Sequence, residues 1–183
     1  MVVKRALVLI ADGSEEIEAV TSIDVLRRAD IDVTVAGLSD SVKCSRDVVI
    51  SPDCPIQHVK NLFYDAVILP GGLKGAEAMC RSDDVKQILN MHHKAGNIIG
   101  AICAAPLVLQ AHNIAKGKRV TSYPSVQRKL DIDYAYSTKR VVRDGNIITS
   151  RGPGTSFEFA LEIVDALKGA ACVHQLKSDM LLV

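Results

Sequence analysis

The heptapeptide GAICAAP, Gly100 to Pro106, places one cysteine where an apolar run gives way to small residues and a proline. A nucleophile on a strand-to-helix elbow needs small residues two before and two after it, because the turn is tight and strained. Ala101 and Ala105 meet that need. Pro106 suits a first helical position, where its missing N–H leaves no bond unmade. A thiol there faces free N–H groups, which predicts a pKa below about 8.5 and makes Cys103 the most acidic thiol of the chain. The competing reading is packing, since a buried free cysteine behaves as a small hydrophobe.

Two further segments could supply partners. Pro70-Gly71-Gly72 follows AVIL and leaves backbone free to turn its amides toward a cleft, where the Ala104 N–H could complete an oxyanion site. The same tripeptide also suits an ordinary strand-ending turn. Glu15, Glu16 and Glu18 crowd the first turn of a helix, where carboxylates complement the dipole on a solvated face. Alternatively one of them turns inward to share a proton with Cys103, and spacing leaves Glu16 and Glu18 both open. Histidine is the missing partner of a Cys–His pair. Residue 104 is Ala, and His112 lies nine residues on, about 13 Å along a helix axis. His58 would need long-range folding to approach, and His92 and His93 are expected on the polar face of a helix. A histidine-assisted hydrolase is disfavoured.

These residues must be positioned by a regular scaffold. KRALVLIA, DVTVAG, AVILPGG and NIIGAIC read as strands of a parallel sheet covered on both faces, because their apolar runs are nearly continuous. EEIEAVTSIDVLRRA reads as a helix capped by Ser14, with Ile17, Val20, Ile23 and Leu26 as its apolar stripe. SDDVKQILNMHHKAG starts at Ser82 and stops at Gly96. TSFEFALEIVDALKG carries a Thr155–Glu158 capping box and an apolar face of Phe157, Ala160, Leu161 and Val164. VKCSRDVVI and KRVVRDGNIITS read as hairpins, the second turning at Asp144-Gly145. The expectation is one domain over 1–183, an α/β sandwich around a mostly parallel sheet. In such sheets sites gather at the carboxyl ends of strands, so the segments after Ala11, Leu69 and Ile102 should meet at one edge.

Composition narrows the function classes. The chain has 183 residues, 48% apolar and 23% charged, with net charge +1, ordinary for a globular protein. No strong field recruits nucleic acid or an anionic membrane, and 4% aromatics without Trp argue against a base-stacking surface. The apolar run Ala6–Ala11 meets acidic residues with no cleavage site, so it reads as a strand and not a signal peptide. No stretch approaches the roughly 18 apolar residues of a spanning helix. Five cysteines, none in a C-x-x-C pair, argue against a disulfide framework or zinc site and for a reduced cytoplasmic chain.

The blocks KRALVLIADGSEEIEAV, DVTVAGL, CSRDVVI, LPGG, AICAAP and TSRGPGTSFEFAL resemble, in order, those of the Parkinson disease protein seven (DJ-one) family of the PfpI superfamily. The resemblance implies a flavodoxin-like fold with an extra C-terminal helix at Ala171–Val183. It implies Cys103 as the reactive thiol, Glu18 as its protonated partner, and Gly72 and Ala104 as oxyanion amides. Gly71, Arg46, Arg27, Arg28, Tyr123 and Arg151 would belong to a substrate or dimer-side pocket. Tyr123 stands where many relatives carry histidine, and Ser51 replaces a second cysteine near the dimer interface, with Cys54 three residues on. The implied protein is a homodimeric, cofactor-free and metal-free glyoxalase or deglycase. Its substrates would be methylglyoxal, glyoxal and early glycation adducts, with the same thiol oxidised under stress. The resemblance adds nucleus or mitochondria to the cytoplasm as compartments. The rivals are a non-catalytic redox sensor or redox-regulated chaperone, and a PfpI-like peptidase, against which Ala104 speaks.

Overall fold

The computed structural model describes residues 3–182, so the ends of the 1–183 span, including Val183 of the expected last helix, lie outside it. In chain order the elements begin β1 (Arg5–Ile10), α1 (Glu16–Arg28), β2 (Asp32–Gly37), β3 (Val42–Lys43), β4 (Val49–Ile50), β5 (Cys54–Pro55) and β6 (Ala66–Leu69). The middle comprises α2 (Leu73–Cys80), α3 (Asp83–Ala95), β7 (Ile98–Ile102), α4 (Pro106–Ala111), β8 (Arg119–Val120) and α5 (Gln127–Leu130). Then follow β9 (Ala135–Tyr136), β10 (Val141–Asp144), β11 (Ile147–Ser150), α6 (Ser156–Lys168) and α7 (Ala170–Asp179).

The main sheet runs β10-β11-β7-β6-β1-β2-β5. All its pairings are parallel except that of β10 with β11. Numbered by order of appearance, its five central strands run 2-1-3-4-5, the flavodoxin-like order. The strand order reverses between β1 and β6, and there the carboxyl ends leave a crevice. β1 shows why the sheet needs two cores. Leu7 and Leu9 pack on the face that also buries Met79, Leu89 and Val108. Ala6, Val8 and Ile10 pack on the face of Leu26, Phe159 and Val164. Period-two alternation with both faces covered leaves β1 apolar from Ala6 to Ile10. Gly100 has a packing reason to lack a side chain, because a Cβ there would lie 2.9 Å from Phe159 Cζ.

Several local expectations hold. Ser82 Oγ accepts from the Val85 N–H at 3.3 Å, and Gly96 ends α3 in the left-handed region. The hairpins β3–β4 and β10–β11 are present, the second with Gly145 at φ +63° in its turn.

Others do not. Glu15, not Ser14, precedes α1, while Ser14 Oγ turns back to accept from the Ala11 N–H. The buried side of α1 is Glu18, Ala19, Ser22, Val25 and Leu26. Ile17 and Val20 stand about half exposed at 53% and 50%, because the helix turns its polar flank toward the crevice. There is no capping box at α6: Thr155 Oγ1 bonds Ser150 and Gly152, and Glu158 binds Arg140. Phe157 is exposed and Phe159 fills the core instead.

His92 is fully buried and not on a polar face. Its Nε2 accepts from the Tyr64 N–H at 3.0 Å, which assigns the ring proton to Nδ1, 2.7 Å from the Ile88 carbonyl. Burial holds its pKa below the usual value, against the pull of the Ile88 bond. The folded state therefore binds this proton less readily than the unfolded one. The contribution is fully present above about pH 6.5 and is lost as pH falls below it, at up to about 1.4 kcal/mol per pH unit. Urea unfolding of wild type and His92→Gln from neutral to mildly acidic pH should show a steeper loss in the wild type. Parallel profiles would contradict the buried neutral ring.

Candidate active site

β7 ends at Ile102, and the next residue takes φ +63°, a region that a non-glycine residue enters at a cost of about 1–3 kcal/mol. That residue is Cys103. Its turn is clamped from two sides: its N–H donates to the Ser150 carbonyl at 3.0 Å, and its carbonyl accepts from the Tyr123 N–H at 2.9 Å. Ala101 and Ala105 are fully buried beside it, as a tight elbow requires. The backbone N–H groups of Gly72 and Ala104 both favour negative charge on its sulfur.

Glu18 reaches the same place from α1. It is fully buried, and its Oε2 accepts the Gly71 N–H at 2.7 Å. Its Oε1 has no hydrogen-bond partner among the described residues. Since Oε2 already receives a proton donor, a neutral Glu18 carries its own proton on Oε1. Burial pushes the carboxyl up to about 7, despite the Gly71 bond and the Cys103 thiol, with the nearby Glu15 charge adding to the rise. Geometry thus selects Glu18 from the two open carboxylates. Glu16 accepts from Ser45 Oγ at 2.9 Å and from the Arg46 N–H at 2.8 Å. Burial opposes its charge, yet these bonds together hold it below its usual value.

Two effects oppose each other at the thiol, the amides that favour its charge and the burial that disfavours it. Burial, then the Glu18 charge, push Cys103 up to about 12, and Cys44 is pushed up to about 11 by burial and acidic neighbours. A free-standing thiolate is not what this pocket favours. When Glu18 takes the proton, its charge no longer opposes the thiolate, while the Gly72 and Ala104 amides remain. The pocket therefore accommodates one negative charge on the pair and disfavours two.

Gly71 permits the pairing. A Cβ there would fall 2.5 Å from Cys103 Cβ and 2.8 Å from Glu18 Oε2. Gly72, at φ +80°, turns its amide toward the sulfur. The thiol opens into a cleft of about 400 Å³, bounded by Glu15, Ser45, Arg46, Leu73, Tyr123 and Pro153. That volume suits a small ligand. No histidine lines it among the described residues.

The structure thus brings Cys103, Glu18, Gly71, Gly72, Ala104, Arg46 and Tyr123 together. Arg151 lines an adjoining hollow of about 380 Å³ that shares Tyr123 and Pro153 with the cleft. Arg27 and Arg28 are not brought in. They lie in the last turn of α1, about 13 Å along the axis from Glu18, and are paired with Asp53 and Asp24. Ser45 was not anticipated. Its hydroxyl lies 2.6 Å from Glu15 Oε2 and 2.9 Å from Glu16 Oε2, joining the β3–β4 loop to α1. Only a short polar loop between two predicted strands could have hinted at it.

Gly71→Ala should separate thiol and carboxyl while leaving both residues in place. Its effect should exceed that of Gly154→Ala, where a Cβ meets nothing within 4 Å. Overpacking costs about 1–3 kcal/mol, so Gly71→Ala should lower the melting temperature and alter Cys103 alkylation, and Gly154→Ala should do neither. Indistinguishable variants would refute the tight approach.

Comparison with known proteins follows the same lines. Residues 4–166 match the model of the DJ-1/PfpI family. Protein dj-1beta of Drosophila melanogaster is 50% identical over 182 residues, 98% of this chain and 97% of that protein. The Parkinson disease protein 7 homolog of Danio rerio is 50% identical over 98% and 97%. The glutathione-independent glyoxalase DJR-1.2 of Caenorhabditis elegans is 40% identical over 98% and 97%. The crystal structure of Drosophila DJ-1beta superposes with a TM-score of 0.97, covering 98% of each chain at 50% identity. Oxidized Toxoplasma gondii DJ-1 superposes at 0.93, with 36% identity over 97% and 98%. The chain belongs to the DJ-1/PfpI family.

Proposed function

We propose that the protein is a glutathione-independent glyoxalase that converts methylglyoxal or glyoxal to the 2-hydroxy acid with Cys103 as nucleophile. The observation that carries this is the buried Glu18 beside the Cys103 elbow, with the Gly72 and Ala104 amides on the sulfur. The worm relative's glyoxalase name supports the same reading. Sulfur bonds to the aldehyde carbon as its proton passes to Glu18. The resulting alkoxide faces the two amides and takes that proton back, giving a hemithioacetal and a Glu18 carboxylate. Glu18 then removes the hydrogen on the former aldehyde carbon as a proton, and the electron pair moves to the neighbouring carbonyl. Return of the proton to that second carbon, with the hydroxyl proton shifting from the first oxygen to the second, leaves a thioester of the 2-hydroxy acid. Water cleaves the thioester, releasing the acid and restoring the thiol. The net change is addition of one water, so no external oxidant or reductant is needed. Arg46 and Tyr123 border the substrate, and hydrolysis of early glycation adducts would use the same acyl chemistry.

A second use of the thiol rests on its position. Cys103 is only partly buried and opens to the cleft, so peroxide reaches the same sulfur that attacks aldehydes. Oxidation there would couple stress to loss of turnover, and the sulfinate oxygens would find the same amide donors.

The half-exposed Ile17 and Val20 on α1 support a homodimer, since burying them against a second copy removes apolar surface from water. Light scattering at micromolar concentration should give twice the 19.7 kDa chain mass. A monomer mass would remove the dimer.

Lactate formation from methylglyoxal tests the chemistry. Cys103→Ala should abolish it, and Glu18→Gln, which retains a donor but transfers no proton, should lower kcat by about 100-fold or more. Glu16→Gln should cost far less. An equal loss from Glu16→Gln would assign the proton to the wrong carboxylate.

A further inference from the structure

The hollow beside the cleft has a charge character that the small-aldehyde reading leaves unused. It is lined by Arg140 and Arg151, by Tyr123 and Thr138, and by the Gly152–Thr155 turn, with no Asp or Glu on its wall among the described residues. Its two arginines differ. Arg140 is committed: Nη2 lies 2.8 Å from Glu158 Oε1 and donates to the Gly154 carbonyl at 2.6 Å.

Arg151 has no carboxylate within 4 Å among the described residues. Its guanidinium makes one hydrogen bond, from Nη1 to the Thr138 carbonyl at 2.9 Å. A guanidinium has five N–H donors in a fixed fork that matches a carboxylate or phosphate edge. Arg5, Arg27, Arg28, Arg119 and Arg143 each pair with a carboxylate, whereas Arg151, like Arg46, Arg81 and Arg128, has no such partner among the described residues. Arg151 is left with donors to spare, half-buried, on the wall of a concavity.

The scaffold under Arg151 is firm. Its own N–H and that of Gly152 both donate to Thr155 Oγ1, at 3.2 and 3.1 Å, and that hydroxyl lies 2.6 Å from Ser150 Oγ. Ser150 is also the residue whose carbonyl takes the Cys103 N–H. The same short segment therefore fixes both the nucleophile and the guanidinium. Tyr123 and Pro153 border the cleft and the hollow alike, so the two adjoin at these residues.

We infer that Arg151 and the Gly152–Thr155 turn form a second subsite, which holds the anionic end of a substrate whose aldehyde carbon sits at Cys103. The substrate class is a 2-oxo aldehyde bearing a carboxylate or phosphate, with the Tyr123 ring alongside the connecting atoms. This rests on the glyoxalase reading for the reacting end and on the hollow alone for the charged end.

The test compares kcat/KM for neutral methylglyoxal, 4,5-dioxopentanoate (a carboxylate) and hydroxypyruvaldehyde phosphate, in wild type, Arg151→Gln and Arg151→Lys. One charge-assisted contact corresponds to about tenfold or more in affinity. The wild type should favour at least one anionic substrate over methylglyoxal by about tenfold, through KM. Arg151→Gln should erase that ratio. Arg151→Lys should keep more of it for phosphate than for carboxylate, because a lysine offers a point charge without the fork. The ratio is taken within each variant, so a partly unfolded sample leaves it unaltered. Which anion is preferred identifies the source.

A readout independent of turnover is amide NMR with inorganic phosphate and with succinate. Signals of Gly152, Gly154 and Thr155 should move in wild type and stay in Arg151→Gln. A ratio unchanged by Arg151→Gln, or signals that move equally in both or in neither, overturns the subsite. Moving signals with no turnover of any aldehyde would overturn the glyoxalase reading and leave the subsite standing.

Discussion

A carboxyl and a thiol meet inside the protein with room for one negative charge between them. Glu18 is fully buried, its Oε2 is committed to the Gly71 amide, and burial lifts it to about 7. The Cys103 thiol beside it is lifted by the same burial and by any charge on Glu18. Neither group ionises easily alone, yet a proton passed from sulfur to carboxyl changes no net charge in the pocket. Coupled groups of this kind titrate as a pair. A nucleophile that forms as its partner is protonated is suited to a reaction that must add a thiol and then move a proton.

The rest of the fold delivers that meeting. Glu18 comes from α1, Gly71 from the turn after β6, and Cys103 from the turn after β7, so three segments distant in sequence converge at the carboxyl edge of one parallel sheet. The reversal of strand order between β1 and β6 opens the crevice there. Gly71 closes the last gap because any side chain would occupy the space of the sulfur and the carboxylate. The strained φ of Cys103 persists because Ser150 and Tyr123 hold its backbone on both sides. Strain of this sort survives where surrounding structure fixes it.

The scaffold and the nucleophile were legible in the sequence for a local reason. Parallel strands covered on both faces are continuous apolar runs, and AICAAP carries its turn requirement in adjacent small residues. What was not legible depends on distant partners. Of the apolar stripe Ile17, Val20, Ile23 and Leu26, the first two pointed to the wrong side of α1, because the buried face there spends Glu18 and Ser22 on polar work. Ser45 left no pattern, since its carboxylate partners lie 29 and 30 residues away. The forces on the thiol were legible only in part, because a helix start is a local feature, whereas desolvation and the Glu18 charge arise only on folding. Arg27 and Arg28 were assigned by resemblance to a substrate or dimer-side pocket, and within the one chain helix geometry carries them away from Glu18.

The protonation state of Glu18 is the most direct test. At pH 6 an ordinary glutamate, with a pKa near about 4.3, is ionised. Infrared difference spectra of wild type against Glu18→Gln at that pH, with carbon-13-labelled glutamate, isolate this one side chain. The account predicts a neutral carboxylic acid band that gives way to carboxylate as pH rises through about 7. A carboxylate band alone at pH 6 would contradict it.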